Sequence, residues 1–208
     1  MDLPQRRHQC IRYPLPATRN PPPAKKRMSG PPGAGSGERP AITGPGAPGR
    51  RYRPQMPVIV VGADTELGRE VAAALTARDG EVRAFVTDPS SADPLRALGI
   101  KVAVGDVSDA SHIEGAAHDV FSAVLLSEAA SDDRERSFAA SYEEVVSAWK
   151  QGVIEAGAKR ILWIGPEPMP GSLETGVECA SIDSSALSAG EVASEAVRLD
   201  DLADLDNP

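Results

Sequence analysis

The chain has 208 residues and a formal net charge of −8, but the charge is unevenly distributed. Residues 1–55 carry eleven Lys and Arg against two acids, whereas residues 56–208 carry a net charge of about −17. An acidic body repels phosphate backbones, so we do not expect nucleic acid as a partner. No apolar run approaches the roughly 18 residues of a membrane span, so no membrane association is expected.

Residues 1–55, which hold twelve of the nineteen prolines, are predicted to form a disordered basic arm. Their few apolar residues show no period, so the segment cannot bury enough surface to offset chain entropy. A second interpretation stays open, in which the arm is an over-extended start and the native chain begins at Met56. The N-terminus lacks the apolar region of a signal peptide, and the expected location is the cytoplasm. Cys10 and Cys179 are interpreted as a chance pair.

From Val58 onwards, short apolar runs alternate with amphipathic helical periods. The run Val58–Val61 is β-branched and wholly apolar, which is typical of a strand buried on both faces of a parallel sheet. The predicted strands are 58–61, 82–86, 101–104, 121–126 and 160–164. The predicted helices between them start near Leu67, Pro94, Asp109 and Asp132, the last continuing to Ala156.

This alternation predicts an α/β fold with a doubly wound parallel sheet of about five strands, Rossmann-like, in the order 3-2-1-4-5. The ligand crevice of such a sheet lies at the carboxyl ends of the first and fourth strands. We therefore expect the glycine-rich segment Gly62–Gly68 to face Asp88, Asp106 and Ser127 across one cleft.

Four segments together resemble the atypical short-chain dehydrogenase/reductases, particularly the NmrA-like NAD(P)-binding proteins. They are the loop Gly62–Gly68, the strand Val82–Val86, the turn Gly105–Asp109 and the approach to the fifth strand, Ala158–Ile161. The resemblance covers about 110 residues. It implies that Gly62 makes the turn after the first strand, that Gly68 lets the helix pack close to the sheet, and that amides at the helix N-terminus bind pyrophosphate.

The loop departs from the family's Gly-Ala-Thr-Gly-x-x-Gly pattern in its middle. Thr65 replaces the glycine that lies closest to pyrophosphate, and Asp64 and Glu66 place a carboxylate on each side of it. These carboxylates are expected to cap the helix N-terminus and to repel a dinucleotide. Weak binding, or a scaffold that has lost its cofactor, is the expected consequence.

The resemblance also suggests how the cofactor would be chosen. Asp88 follows the second strand, where an acid commonly accepts hydrogen bonds from the ribose of NAD. The family often has an arginine at the position of Thr87, so NAD is favoured over NADP. An Asp-Pro turn would explain Asp88 without a ligand. Asp106 and Val107 would border the adenine, although Asp106 could instead bond local amides. The candidate cofactor-binding residues are Gly62, Ala63, Asp64, Thr65, Glu66, Leu67, Gly68, Thr87, Asp88, Asp106, Val107 and Ser127.

No catalytic set is predicted, and no metal site. Short-chain reductases use a tyrosine four residues before a lysine, which lowers the tyrosine pKa. Tyr142 is followed at that spacing by Val146, and Lys150 lies too far along. The fifth strand ends without a hydroxyl. His112 and His118 are interpreted as surface residues. Many NmrA-like proteins also lack the catalytic set and act as redox sensors.

Residues 56–171 are predicted to form the NAD(P)-binding domain, and residues 172–208 an acidic tail with a helix over 188–205. The segment Ser188–Ala193 looks like a late helix start of the family, as though an intervening substrate-binding section were missing. The crevice would then lie open, or be covered by a protein partner or a second copy of the chain.

Three functions remain open from the sequence. The first is a non-catalytic, NAD(P)-binding nucleotide- or redox-sensing module with a regulatory role. The second is an NAD(P)-dependent reductase or epimerase-like oxidoreductase of unknown substrate. The third is a cofactor-free protein-interaction domain.

Overall fold

The computed structural model describes residues 11–12, 56–134, 136–173 and 176–205, and within them one parallel sheet of seven strands. The strands are β1 (Ile11–Arg12), β2 (Val58–Val61), β3 (Val82–Val86), β4 (Lys101–Val104), β5 (Ser122–Leu126), β6 (Arg160–Gly165) and β7 (Glu178–Asp183). Their order across the sheet is β4-β3-β2-β5-β6-β7-β1. Counted from Val58, the predicted order 3-2-1-4-5 is confirmed, and β7 and β1 extend it.

The helices cover both faces of this sheet, because its central strands β2 and β5 are buried on both sides. They are α1 (Glu66–Thr76), α2 (Ala92–Ala97), α3 (Ala110–Ala117), α4 (Ser127–Ser131), α5 (Tyr142–Glu155) and α6 (Ala189–Asp201). Helices α1, α2 and α6 pack on one face, against alternate strand residues such as Val60 and Val124. Helices α3, α4 and α5 pack on the other, against Ile59 and Leu125. The fold is therefore a three-layer Rossmann-like sandwich.

The part of the predicted acidic tail that precedes its helix contains strand β7. Its residues Glu178–Asp183 include Cys, Ala and Ser, which have no strong strand preference, so the pattern did not indicate a strand. Pairing with β6 along six residues nevertheless buries its centre. Helix α6 follows, with Ser188 and Glu191 forming a capping box. The segment predicted as an acidic tail thus contributes a strand and a helix to the same core.

Arg160, at the start of β6, connects these late elements to the sheet. The side chain is fully buried. Its Nε donates to Glu178 on β7 at 2.7 Å, and its Nη1 donates to the carbonyls of Leu199 and Asp200 in α6 at 2.7 and 3.0 Å. A cation at the carboxyl end of a helix also interacts favourably with the helix dipole.

The prediction of a single long helix from Asp132 to Ala156 is wrong. The chain forms the short helix α4, leaves helical geometry after Ser131, and begins α5 at Tyr142. Phe138, which would lie within that predicted helix, is 66% exposed between α4 and α5. The break occurs because Ser141 and Glu144 form a capping box that starts a new helix, a signal present in the sequence.

Two residues of the N-terminal arm are described. Ile11 and Arg12 pair in parallel with Ala180 and Ser181 at the edge of the sheet, so they form a strand where disorder was expected. The rest of the predicted disordered arm lies outside the described residues. Cys179 is disulfide-bonded, contrary to the interpretation of the cysteines as a chance pair; Cys10 also lies outside the described residues.

Candidate functional site

The loop Gly62–Gly68 connects β2 to α1 at the carboxyl edge of the sheet. Gly62 has a φ of 87°, a conformation that favours glycine. A Cβ on Gly68 would lie 2.2 Å from the carbonyl oxygen of Gly62 and 2.9 Å from Cα of Ala63. The first glycine therefore makes the turn and the last one permits close contact between helix and strand.

Thr65, not its acidic neighbours, caps α1. Its Oγ1 accepts a hydrogen bond from the backbone N–H of Gly68 at 2.9 Å and donates one to the carbonyl of Gly62 at 3.1 Å. Glu66 is the exposed first residue of the helix. The expectation that Asp64 and Glu66 cap α1 is wrong, because a hydroxyl on the N-cap residue itself already reaches the third amide.

Asp64 instead turns its carboxylate toward the end of β3. Its Oδ2 accepts hydrogen bonds from the backbone N–H groups of Thr87 and Asp88 at 2.8 and 3.1 Å. Nη1 of Arg134 lies 2.9 and 3.0 Å from its two carboxylate oxygens. The Asp64 side chain is only 5% exposed. Asp64, Thr87 and Asp88 are thus brought together, through a fourth residue that the sequence did not indicate.

Arg134 belongs to the bridging segment, residues 132–141, described except for Glu135. Its Nε donates to the two carboxylate oxygens of Asp132 at 2.7 and 2.8 Å. Further along, the backbone N–H of Ser137 donates to Asp106 at 2.7 Å, and that of Phe138 donates to Oγ of Ser108 at 3.0 Å. The segment is therefore attached to the loops that follow β2, β3 and β4.

The two predicted nucleoside ligands also have partners of their own. The carboxylate of Asp88 accepts from the hydroxyl and the backbone N–H of Ser90, and these bonds hold its pKa below the ordinary value. Burial acts to raise the pKa of Asp106, but hydrogen bonds from Ser108 and Ser137 outweigh it and lower the pKa. Both acids are charged at neutral pH, and local bonding accounts for their orientation.

Val107, the predicted neighbour of the adenine, is fully buried. Its carbonyl accepts a hydrogen bond from Nε1 of Trp149 at 2.7 Å. The side chain lies in the apolar core between the sheet and α5. Trp149 thus fixes the backbone of the loop after β4, and Val107 serves the core.

A cleft of about 570 Å³ opens beside the glycine loop, between the ends of β5, β6 and β7. This volume is in the range of small-molecule sites. Its lining includes Leu67 on α1, the buried Ser127 after β5, Tyr142 at the start of α5 and Glu167 after β6. A Cβ on Gly165 would lie 2.3 Å from Oγ of Ser127, so a glycine at the end of β6 leaves room for that hydroxyl.

Tyr142 and Lys150 are not arranged as an activated pair. The ammonium group of Lys150 donates to the carbonyl of Pro170 at 2.9 Å. Burial raises the pKa of Tyr142, with Glu143 and Glu167 adding to the effect, and burial lowers the pKa of Lys150. The Tyr142 phenol is therefore protonated at neutral pH and is a weaker acid than a free tyrosine, the opposite of an activated catalytic tyrosine.

The two histidines that follow β4 are exposed side chains. His112 lies 3.6 Å from Asp109, and His118 lies 3.3 Å from Asp119. Within the described residues, no three His, Cys, Asp or Glu side chains cluster so as to hold a metal ion. None of the described helices is long and apolar enough to cross a membrane.

The sheet order and the glycine loop at its switch point define a dinucleotide-binding type of Rossmann domain. A family model described as NAD(P)H-binding matches residues 62–167. The chain belongs to this NAD(P)H-binding family. A search of curated proteins finds no match.

Among solved structures, the chain is similar to three reductases. The first is triphenylmethane reductase from Citrobacter sp. complexed with NADP(H), with 17% sequence identity over 70% of this chain and 46% of that one and a TM-score of 0.45. The second is NADPH-dependent quinone oxidoreductase from Escherichia coli complexed with NADPH, with 21% identity over 68% of this chain and 44% of that one and a TM-score of 0.44. The third is an anaerobillin reductase from Escherichia coli O157:H7, with 19% identity over 52% of this chain and 50% of that one and a TM-score of 0.41. The chain spans half or less of the length of each.

Proposed function

We propose that the chain is a non-catalytic module of the NmrA-like type that binds NAD(P) weakly and acts in nucleotide or redox sensing. The turn at Gly62 and the close approach at Gly68 support binding of pyrophosphate at the start of α1. Asp64 and the bridging segment fill space at the nucleoside end, so a dinucleotide has to compete with bonds already made. NAD is favoured over NADP because Thr87 stands at the position where the NmrA-like family often has an arginine.

The observation that carries the non-catalytic assignment is the position of Lys150. A reductase of this kind needs a lysine that lowers the tyrosine pKa. Here the Lys150 ammonium is bonded to the Pro170 carbonyl, and the pKa of Tyr142 is raised. Proton shuttling through Tyr142 is therefore disfavoured.

Isothermal titration calorimetry of the full chain with NAD, NADP and S-adenosylmethionine tests the binding function. We expect NAD to bind in the micromolar to millimolar range, equivalent to about 4–8 kcal/mol. S-adenosylmethionine, the ligand of methyltransferases that share the βαβ arrangement, is the negative control. No heat with either dinucleotide would contradict the proposal and favour a cofactor-free interaction domain.

A second candidate, an NAD(P)H-dependent reductase, is favoured by the cleft beside the glycine loop. Ser127 and Tyr142 both line it. The Tyr142 phenol could supply the proton that accompanies hydride transfer from NAD(P)H to a carbonyl or quinone carbon, although its raised pKa makes it a weak acid. If this function holds, Tyr142→Phe lowers the turnover of NADH with a quinone acceptor by about 100-fold or more and leaves NAD affinity unchanged. If the wild-type chain shows no turnover, the non-catalytic proposal stands.

A further inference from the structure

The Asp64 carboxylate occupies an anion-binding pocket at the end of β3. The pocket consists of two consecutive backbone N–H groups, those of Thr87 and Asp88, and the guanidinium of Arg134. Nη1 of Arg134 also lies 3.2 Å from Oγ1 of Thr87. The side chains of Asp64 and Arg134 are 5% and 12% exposed, so these charged bonds form largely out of water.

Converging amides and a guanidinium form the donor set that binds phosphate groups in proteins. The pocket lies just after the second strand counted from Val58, the place where a Rossmann domain recognises the 2′ position of the adenosine ribose. A 2′-phosphate bound there would need the donors that Asp64 now holds. A 2′-hydroxyl can instead donate a hydrogen bond to a carboxylate.

Resting on the proposed dinucleotide function, we propose that Asp64 determines cofactor specificity by acting as an internal substitute for the 2′-phosphate of NADP. The carboxylate is part of the chain, so its effective concentration at the pocket is high and a soluble phosphate displaces it poorly. A second anion beside it would also be repelled in a desolvated site. The result is preference for NAD.

Arg134 stays positioned for this role when Asp64 is removed. Its Nε bonds to both oxygens of Asp132, and these contacts do not involve Asp64. Nη1 of Arg134 and the backbone N–H groups of Thr87 and Asp88 would then be available to bind a new anion. Glu66, in the same loop, is exposed at the start of α1 and provides a matched control.

The experiment titrates NAD, NADP and inorganic phosphate into the wild-type chain and into Asp64→Ser and Glu66→Ser. Each substitution removes one carboxylate from the loop, but only the first opens the pocket. We expect wild type and Glu66→Ser to bind NADP about tenfold or more weakly than NAD. Asp64→Ser should shift the ratio toward NADP by about tenfold or more, the effect of a hydrogen bond to a charged group. Phosphate should compete with NADP on this variant.

The outcomes separate the specificity of Asp64 from the binding function itself. If wild type binds NAD but Asp64→Ser leaves the NADP-to-NAD ratio unchanged, or Glu66→Ser shifts it equally, the role of Asp64 is refuted and dinucleotide binding stands. If neither wild type nor variant binds a dinucleotide, both proposals fall. Asp64→Asn, which keeps the side-chain shape, provides a second variant if Asp64→Ser does not fold, with a smaller shift in the same direction.

Discussion

Replacing Gly68 with alanine is expected to destabilise the fold, although alanine is the better helix former. In a helix interior the exchange alone favours alanine by about 1 kcal/mol. At this position the new Cβ would lie 2.2 Å from the Gly62 carbonyl oxygen and 2.9 Å from both Cα of Ala63 and Oγ1 of Thr65. Two of the three atoms are backbone in a turn with little freedom, so we place the overpacking cost near the upper end of its range, about 3 kcal/mol.

The expected net loss is about 2 kcal/mol, a fall in Tm of roughly 4–8 °C for a chain of this size. Gly115 in α3 is the matched control, because it is exposed and a Cβ there would meet nothing within 4 Å. Gly115→Ala should raise the free energy of unfolding by up to about 1 kcal/mol. Urea denaturation followed by circular dichroism measures both. A Gly68→Ala chain as stable as Gly115→Ala would refute the close contact between α1 and β2.

Two further predictions concern the late elements and the bridging segment. Arg160→Met should lower the free energy of unfolding by about 3 kcal/mol, because it removes the buried cation that bonds Glu178 and the end of α6. Arg83 on β3 is only partly buried, so Arg83→Met should lower the free energy of unfolding by less in the same urea titration. The folded-state pKa of Asp106 is lowered, so its contribution to stability is full above its unfolded pKa of about 4 and is lost as pH falls through the folded value. Asp106→Asn should flatten the fall in Tm below about pH 4, and an equally steep fall would contradict this assignment.

The central sheet could be predicted from the sequence because its signals are local. The run Val58–Val61 is wholly apolar and β-branched, and Gly62 ends it at a turn that needs a positive φ. Strand β7 escaped prediction because its stability comes from pairing with β6, a long-range contact that a six-residue pattern does not encode.

The sequence predicted that the candidate site residues lie at one edge of the sheet, but it did not predict the bonds between them. Parallel strands bring the residues after β2, β3, β4 and β5 to one edge, which follows from topology alone. Arg134 lies 70 residues from Asp64 and was assigned to a helix, so no local pattern pointed to their ion pair. In the sequence, only the capping box at Ser141 indicated that the helix begins at Tyr142. The residues before it are then not helical and can extend across the loops that follow the strands.

If the proposed function holds, the affinity for a dinucleotide and the choice between NAD and NADP depend on different residues. Thr65 engages the Gly68 amide at the start of α1, where pyrophosphate would bind, whereas Asp64 engages the amides after β3, where the ribose would bind. Thr65→Gly should therefore tighten NAD and NADP by the same factor, because both carry the same pyrophosphate, at a capping cost of a few tenths of a kcal/mol. Asp64→Ser should change their ratio. Competition titrations with both ligands measure the two effects. A change in the ratio on Thr65→Gly would mean that the two ends of the site are coupled, and that the loop acts as one unit.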